Sequence, residues 1–467
     1  MNFNSLPFVV LAVLTFVLYY APVRRPYWQV VVLVAASLVF YGWEQPLLLI
    51  LLIFSGAVTS LASAVIAREK NRNKQRITAI AGVGIMLLVL AFFKYDRLIA
   101  QTIVGDLDAI RGPGQWLLTL PLPIGISFFT FHGISLVVDT FTSRAGLQEI
   151  SAARPHVART FLYLTFFPQL IAGPIMKARD FLPQIKAKEL RDVDWESVTR
   201  ALVTGYFLKM VVADNLSVLT SLMSGNAAQT PSIILLALIF AYSCQIFADF
   251  AGYSLIAIGL GRLFGYELMT NFNFPYLAQS FSEFWHRWHI SLSTWLRDYL
   301  FIPLGGSRCG PLRRSFNILI VMFLGGLWHG AAWSYAVWGT VHGMALVIER
   351  PFLQTRFYRS TSPLLQVLRT LMVVAFVSFA WLLFRLPDFS HALDYVKALT
   401  TNQVPLTGGE MLTALLVYSL PVVVYHVFQI GRSRETAGTP RAWACAFLAA
   451  CIVLNSGVPG AFIYFQF

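Results

Sequence analysis

The chain has 467 residues, of which 57% are hydrophobic and only 12% charged. Soluble domains carry about 25% charged residues, so a soluble globular protein is excluded: there is too little polar side chain to cover its surface. The net charge of +13 falls on short stretches between apolar runs, which points to anionic lipid headgroups and argues against nucleic acid as a partner.

A helix needs about 20 apolar residues to cross a bilayer core about 30 Å thick. The N-terminal MNFNSLPFVVLAVLTFVLYYAPVRR has neither a basic leader nor a small-residue cleavage pattern, so it reads as a retained first helix near 7–22. Apolar runs follow near 27–43, 46–67, 77–93, 117–138, 157–175, 197–214 and 231–255. The C-terminal set lies near 316–331, 332–348, 365–384, 411–430 and 442–463. Several are short or interrupted by Gly and Pro, which predicts about ten to twelve true spans with re-entrant and interfacial helices among them. Helices are expected because open strands leave backbone groups unsatisfied in lipid. The short alternating segments of a transmembrane barrel are missing from the sequence.

Loop charge orients the chain. Residues 68–76, REKNRNKQR, hold five Lys or Arg against one Glu and are expected in the cytoplasm. Counting through the helices puts the Arg24/Arg25 loop on the same side, with the N-terminus and residues 94–116 outside. No internal repeat and no fused soluble domain is discernible, so one membrane-embedded domain over 1–467 is expected. The four cysteines, Cys244, Cys309, Cys445 and Cys451, show no C-x-x-C spacing and read as small apolar residues packed among helices. Residues 176–200 are charged and helix-compatible, as an interfacial or cytoplasmic segment would be.

Four stretches carry polar residues where lipid would not want them. In FFPQLIAGPIMKARDF (166–181), Pro168, Gly173 and Pro174 break an apolar segment, which a membrane tolerates where the segment lines protein or a cavity. Lys177 and Arg179 follow, as interfacial anchors or as a phosphate-attracting pair. In SCQIFADFAGYSLIAIGLGRLFGYE (243–267), Asp249 sits in strongly apolar surroundings. It could orient a histidine, bind a cation or pair with an arginine. The stretch NFNFPYLAQSFSEFWHRWHISLSTWLRDYLFIPLGG (271–306) contains an amphipathic pattern over 283–299. On a single helix Trp285, Trp288, His289, Leu292, Trp295, Leu296 and Tyr299 share one face, opposite Glu283, His286, Thr294, Arg297 and Asp298. Glu283 and Arg287 are placed to pair. His289 has no place in a simple membrane anchor. It is either a packed, hydrogen-bonded residue or part of an active site. In MFLGGLWHGAAW (322–333), His329 lies between glycines and alanines inside an apolar run. An ionisable group there faces a cavity, a pathway or a partner, and an imidazole can accept a proton near neutral pH. Catalysis, structural hydrogen bonding and metal ligation all fit that position. His342, thirteen residues on, is a weaker second candidate.

Together FFPQLIAGPI (166–175), QIFADFAGYSLIAIGLGRLFGY (245–266), the tryptophan-rich 271–306 and FLGGLWHGAAWSYAVWGTVHG (323–343) resemble the membrane-bound O-acyltransferase (MBOAT) family. The likeness is nearest to its bacterial alginate O-acetyltransferase membrane-subunit branch and densest over 160–350. It implies an all-α polytopic bundle around a catalytic tunnel. His329, in the GGLWHG motif, is implied as the catalytic base, and His289, in RWHIS, as a residue near the same tunnel. Asp249 falls in the family's DF-x-GYS pattern, and Trp328, Trp285 and Arg287 are candidates to surround the tunnel. His286 stands where the family often has Arg. The resemblance further implies a cytoplasmic acyl thioester donor, acetyl-CoA or an acyl-carrier protein, with no tightly bound cofactor and no metal. It implies a polysaccharide as final acceptor, extracytoplasmic modification proteins as partners, and a bacterial inner membrane as location. A transporter or a scaffold subunit of a polysaccharide export complex is the alternative.

Overall fold

A computed structural model describes residues 1–21, 26–44, 46–105, 115, 118, 120–142, 153–171, 173–406, 409–429 and 442–460. The Arg24/Arg25 loop, most of 106–119 and the end of the last apolar run lie outside the described residues. Every regular element among those described is helical. Six helices are long and apolar enough to cross a bilayer: Pro46–Arg68, Arg72–Val104, Trp195–Ser224, Ser232–Leu263, Pro363–Arg385 and Glu410–Val427. Four shorter apolar helices, Leu6–Tyr19, Tyr27–Gly42, Ile126–Phe141 and Ala442–Leu454, account for most of the remaining runs read from the sequence.

The residues group into two compact units. The first comprises Met1–Thr199 and Ile256–Met269. Its helices approach closely through small residues such as Ala62, Ala79, Ser63 and Thr59, which is how helices associate where lipid supplies no hydrophobic driving force. Glu69–Asn71 alone separate helices Leu49–Arg68 and Arg72–Val104. The basic stretch expected as a loop is therefore mostly the first turn of a helix, capped by Asn71 Oδ1 accepting from Asn73 N at 2.9 Å. The segment around Pro168 is broken as expected. Helix Ala153–Thr165 stops, Phe167–Leu170 makes one more turn, and an irregular stretch follows. The freed backbone carbonyls are met by side chains: Tyr163 donates to Met176 O at 2.8 Å and Gln169 Nε2 to Tyr163 O at 2.8 Å. Lys177 departs from expectation. It is buried, and Arg179 is half-buried, so Lys177 is part of this packed break instead of an exposed interfacial anchor.

The second unit comprises Arg200–Leu255 and Thr270–Phe467. Its centre is the antiparallel pair Pro311–His329 and Trp333–Glu349, backed by Pro363–Arg385. Two glycines set how closely the pair packs. A Cβ on Gly326 would lie 2.1 Å from Tyr335 O, and one on Gly339 would lie 2.1 Å from Met322 O.

The expected continuous helix over 283–299 is corrected. It is two helices, Phe281–Arg287 and Ile290–Leu296, followed by a π-helical turn at Arg297–Phe301. His289 occupies the break with φ of +43°, a left-handed conformation rare for a residue with a side chain. The single helical wheel therefore fails in part. Trp288, His289, Leu292, Trp295 and Leu296 are buried as expected, but Trp285 is only half-buried, and Asp298 from the polar side is buried too.

Candidate active site

His329 is the last residue of its helix; Gly330 continues in extended backbone and the chain turns back at Trp333. The ring is buried at 4% exposure and enclosed by aromatics. Its centroid lies 5.1 Å from Trp328, 5.3 Å from Trp338 and 5.5 Å from Phe384. His289 is brought to the same place from the left-handed turn: the two imidazole centroids are 6.1 Å apart, and Trp328 is 6.0 Å from His289.

The turn that presents His289 is held by a residue the sequence reading did not single out. Asn271 Oδ1 accepts from Ser291 Oγ at 2.6 Å and lies 3.3 Å from both Ser291 N and His289 Nδ1. Asn271 O accepts from Ile290 N at 3.0 Å, and its Nδ2 donates to Ser254 Oγ at 3.0 Å. One buried amide thus supplies the partners that a broken helix needs. With Asn271 Oδ1 accepting, His289 carries its proton on Nδ1 and its lone pair on Nε2. Phe250 closes the other side, its ring 4.6 Å from His289.

A cavity of about 360 Å³ opens onto His329. Trp285, Trp338, Gly325 and Met322 line it near the histidine, and His286, Arg297, Arg314 and Arg350 also border it. Trp285 contacts Trp338 and His342 at 5.9 and 5.2 Å. His342 is buried one layer behind, against Trp338 at 4.8 Å. Arg287 does not line the cavity. It pairs with Glu283 as expected, Nη2 to Oε1 at 2.7 Å, and donates to Asn273 O at 3.0 Å, tying helix Phe281–Arg287 to the preceding segment.

Asp249 is engaged elsewhere. Lys209 Nζ lies 2.8 Å from Asp249 Oδ1 and 2.8 Å from Asp214 Oδ1, all three side chains being buried. Lys209 sits in a π-helical turn, Phe207–Ala213, a distortion that re-aims side chains within a helix. The available signal was a lone lysine in the apolar run FLKMVVAD (207–214), since a charge at that depth needs a partner. In this triad Asp249 holds a neighbouring helix, and it is Phe250, the next residue, that packs against His289.

Comparison with known proteins gives a consistent set of relatives. The model of the membrane-bound O-acyltransferase family matches residues 36–387. A protein of Pseudomonas aeruginosa named "Probable alginate O-acetylase AlgI" is 36% identical, the match covering 90% of this chain and 80% of that protein. One of the same name from Pseudomonas putida is 32% identical over 100% of both. A "Peptidoglycan O-acetyltransferase" of Helicobacter pylori is 33% identical, covering 80% of this chain and 74% of that protein.

Proposed function

The chain belongs to the membrane-bound O-acyltransferase family and is a multi-pass membrane O-acyltransferase; on that premise we propose that it moves an acetyl group from a cytoplasmic thioester towards hydroxyls of an extracytoplasmic polysaccharide, with His329 as general base. The observation that carries the residue assignment is geometric. His329 is a buried imidazole at a helix terminus, open to a cavity and 6.1 Å from a second imidazole.

As the acceptor oxygen attacks the thioester carbonyl, a ring nitrogen of His329 takes the hydroxyl proton. The new C–O bond forms, the C–S bond breaks, and the imidazolium returns the proton to the departing thiolate. General base catalysis of this kind contributes about 100- to 10,000-fold. The carbonyl end of helix Pro311–His329 carries partial negative charge, which favours the transient imidazolium. His289, held by Asn271, orients the acceptor hydroxyl beside that base. Trp328 and Trp338 exclude water and so favour acyl transfer over hydrolysis.

The helix ends also fit a transfer between compartments. Arg308, Arg313, Arg314, Arg350, Arg356 and Arg359 cluster at one end of the helix pair, whereas Asp388, Asp394 and Glu410 follow the far end of Pro363–Arg385. By the positive-inside rule the arginine end is cytoplasmic, which suits a bacterial inner membrane. In this reading the final acceptor is a polysaccharide such as alginate, reached directly or through extracytoplasmic partner proteins; relatives named for alginate O-acetylation support that choice.

The test is His329→Gln beside His329→Ala, assayed for transfer from radiolabelled acetyl-CoA or acetylated carrier protein at matched amounts of folded protein. Glutamine keeps hydrogen bonding but cannot act as a base near neutral pH. Both variants should lose about 100-fold or more. Near-normal turnover by the glutamine variant moves the base assignment to His289.

A further inference from the structure

The two imidazoles of the site are tied to opposite ends of one helix, Trp333–Glu349. His329 is joined to its start by the turn Gly330–Ala332. His289 is tied to its end through a carboxylate. Glu349 closes that helix and is buried at 3% exposure. Its two oxygens accept from the first two N–H groups of helix Phe281–Arg287: Oε1 from Phe281 N at 2.8 Å and Oε2 from Ser282 N at 3.1 Å. Ser280 Oγ accepts from the third, Glu283 N, at 2.9 Å, so the donors that a helix start leaves over are met. Tyr358 OH adds a bond to Glu349 Oε1 at 3.1 Å. A buried carboxylate is costly unless its oxygens are hydrogen-bonded, and its charge suits the positive end of a helix. The segment before the helix has a second tie. Arg369, buried on Pro363–Arg385, donates through Nη2 to Gln279 Oε1 at 2.7 Å.

Ser280 and Glu349 do different things. A cap from the adjoining residue satisfies the helix start wherever the helix lies. A carboxylate 68 positions away also fixes where that start sits on the helix pair that bears His329. Helix Phe281–Arg287 has seven residues, about 10 Å, and runs directly into Trp288 and the left-handed residue His289. Over so short a rod, a shift at the start reappears at the end. Asn271 shapes the turn at His289, whereas the helix that delivers the turn is anchored at Glu349. Resting on the role given to His289 above, we propose that Glu349 is a positioning residue, which sets the 6.1 Å separation of His289 from His329. It acts through His289 and not on donor or acceptor.

The experiment pairs a structure with a double-mutant cycle on the full-length, detergent-purified protein. Glu349→Gln is nearly isosteric but turns one acceptor oxygen into an NH2 facing a backbone N–H. Its cryo-electron microscopy structure should show the His289 ring displaced from His329 by about 1 Å, and kcat should fall about tenfold or more. The rate is that of acetyl transfer from radiolabelled acetyl-CoA to oligomannuronate, at matched folded protein. In a His289→Ala background the same change should leave the rate within about twofold of His289→Ala alone. Glu349→Asp, which keeps both acceptor oxygens, repeats the cycle if the glutamine variant folds poorly, with a smaller loss that again vanishes. Ser280→Ala removes a cap without freeing the position of the helix, so it should lower the melting temperature and leave kcat unchanged. An undisplaced His289 in Glu349→Gln overturns the proposal. So does an equal loss in both backgrounds, since the helix would then act through Trp285 and His286, which border the cavity. A kcat in Ser280→Ala as low as in Glu349→Gln also overturns it, because helix stability and not position would govern the rate. Wild-type turnover in His289→Ala removes the role given to His289 and this proposal with it. A displaced ring in a protein whose wild type transfers from no thioester instead supports the positioning and removes the proposed reaction.

Discussion

Gly326→Ala is the sharpest test of how the fold places His329. The added Cβ would lie 2.1 Å from Tyr335 O, 3.0 Å from Tyr335 C and 3.1 Å from Gly339 N, whereas ordinary van der Waals contact begins at 3.4 Å. These are backbone atoms of the facing helix, so no side chain can rotate away. The helices must separate locally by about 1.3 Å, the shortfall at the closest contact. Overpacking of this kind costs about 1–3 kcal/mol; the better helix propensity of alanine returns at most about 1 kcal/mol. A net loss of about 1 kcal/mol should lower the melting temperature in detergent without preventing membrane insertion. The functional cost should be larger. Gly326 lies three residues before His329 on the same helix, and a misplacement of about 1 Å in a catalytic constellation can cost about 100-fold. The matched control is Gly84→Ala, in helix Arg72–Val104, where nothing lies within 4 Å of the new Cβ. That variant should melt at or above the wild-type temperature and keep full turnover. Tryptophan-fluorescence melting and initial rates of acetyl transfer, at matched folded protein, check both. Wild-type melting and turnover in Gly326→Ala would refute the packing argument.

Asn271→Ala leaves Ser291 and Ser254 without their amide partner and releases the turn at His289. It should cost about 1–3 kcal/mol per buried group left unpaired, and lower kcat more than it raises KM, read by steady-state kinetics and melting. Lys209→Met removes the cation that bridges Asp214 and Asp249; breaking a buried ion pair from one side costs about 3–5 kcal/mol, so folded yield by size-exclusion chromatography should collapse. Lys209→Met combined with Asp214→Asn and Asp249→Asn should recover much of that yield. For orientation, Asn73→Cys in a cysteine-free background should resist an impermeant thiol reagent in sealed cells and react after lysis if, as the positive-inside rule predicts, the basic turn at 68–76 faces the cytoplasm. Labelling in sealed cells would reverse the assignment.

Residue order by itself determined the physical class. Few charges, long apolar runs and charge gathered between them leave a helical membrane protein as the solution, because each unpaired backbone group costs several kcal/mol in lipid. It also exposed His329, since a histidine flanked by glycines in an apolar run is conspicuous without any fold, and it located the break at Pro168. Tertiary structure decided what lies between those signals. The 283–299 pattern looks like one amphipathic helix because hydropathy registers which side chains are apolar, not where the backbone changes hand. The left-handed turn at His289 exists because Asn271, eighteen positions earlier, supplies its hydrogen bonds. Asp249 invited several partners on paper, and Lys209 was passed over; they pair because a π-helical turn brings that lysine to it across forty positions. The cavity and the 6.1 Å approach of His289 to His329 likewise arise from long-range packing. Local pattern reports what each residue can tolerate, whereas a site is a set of distances between residues remote in the chain.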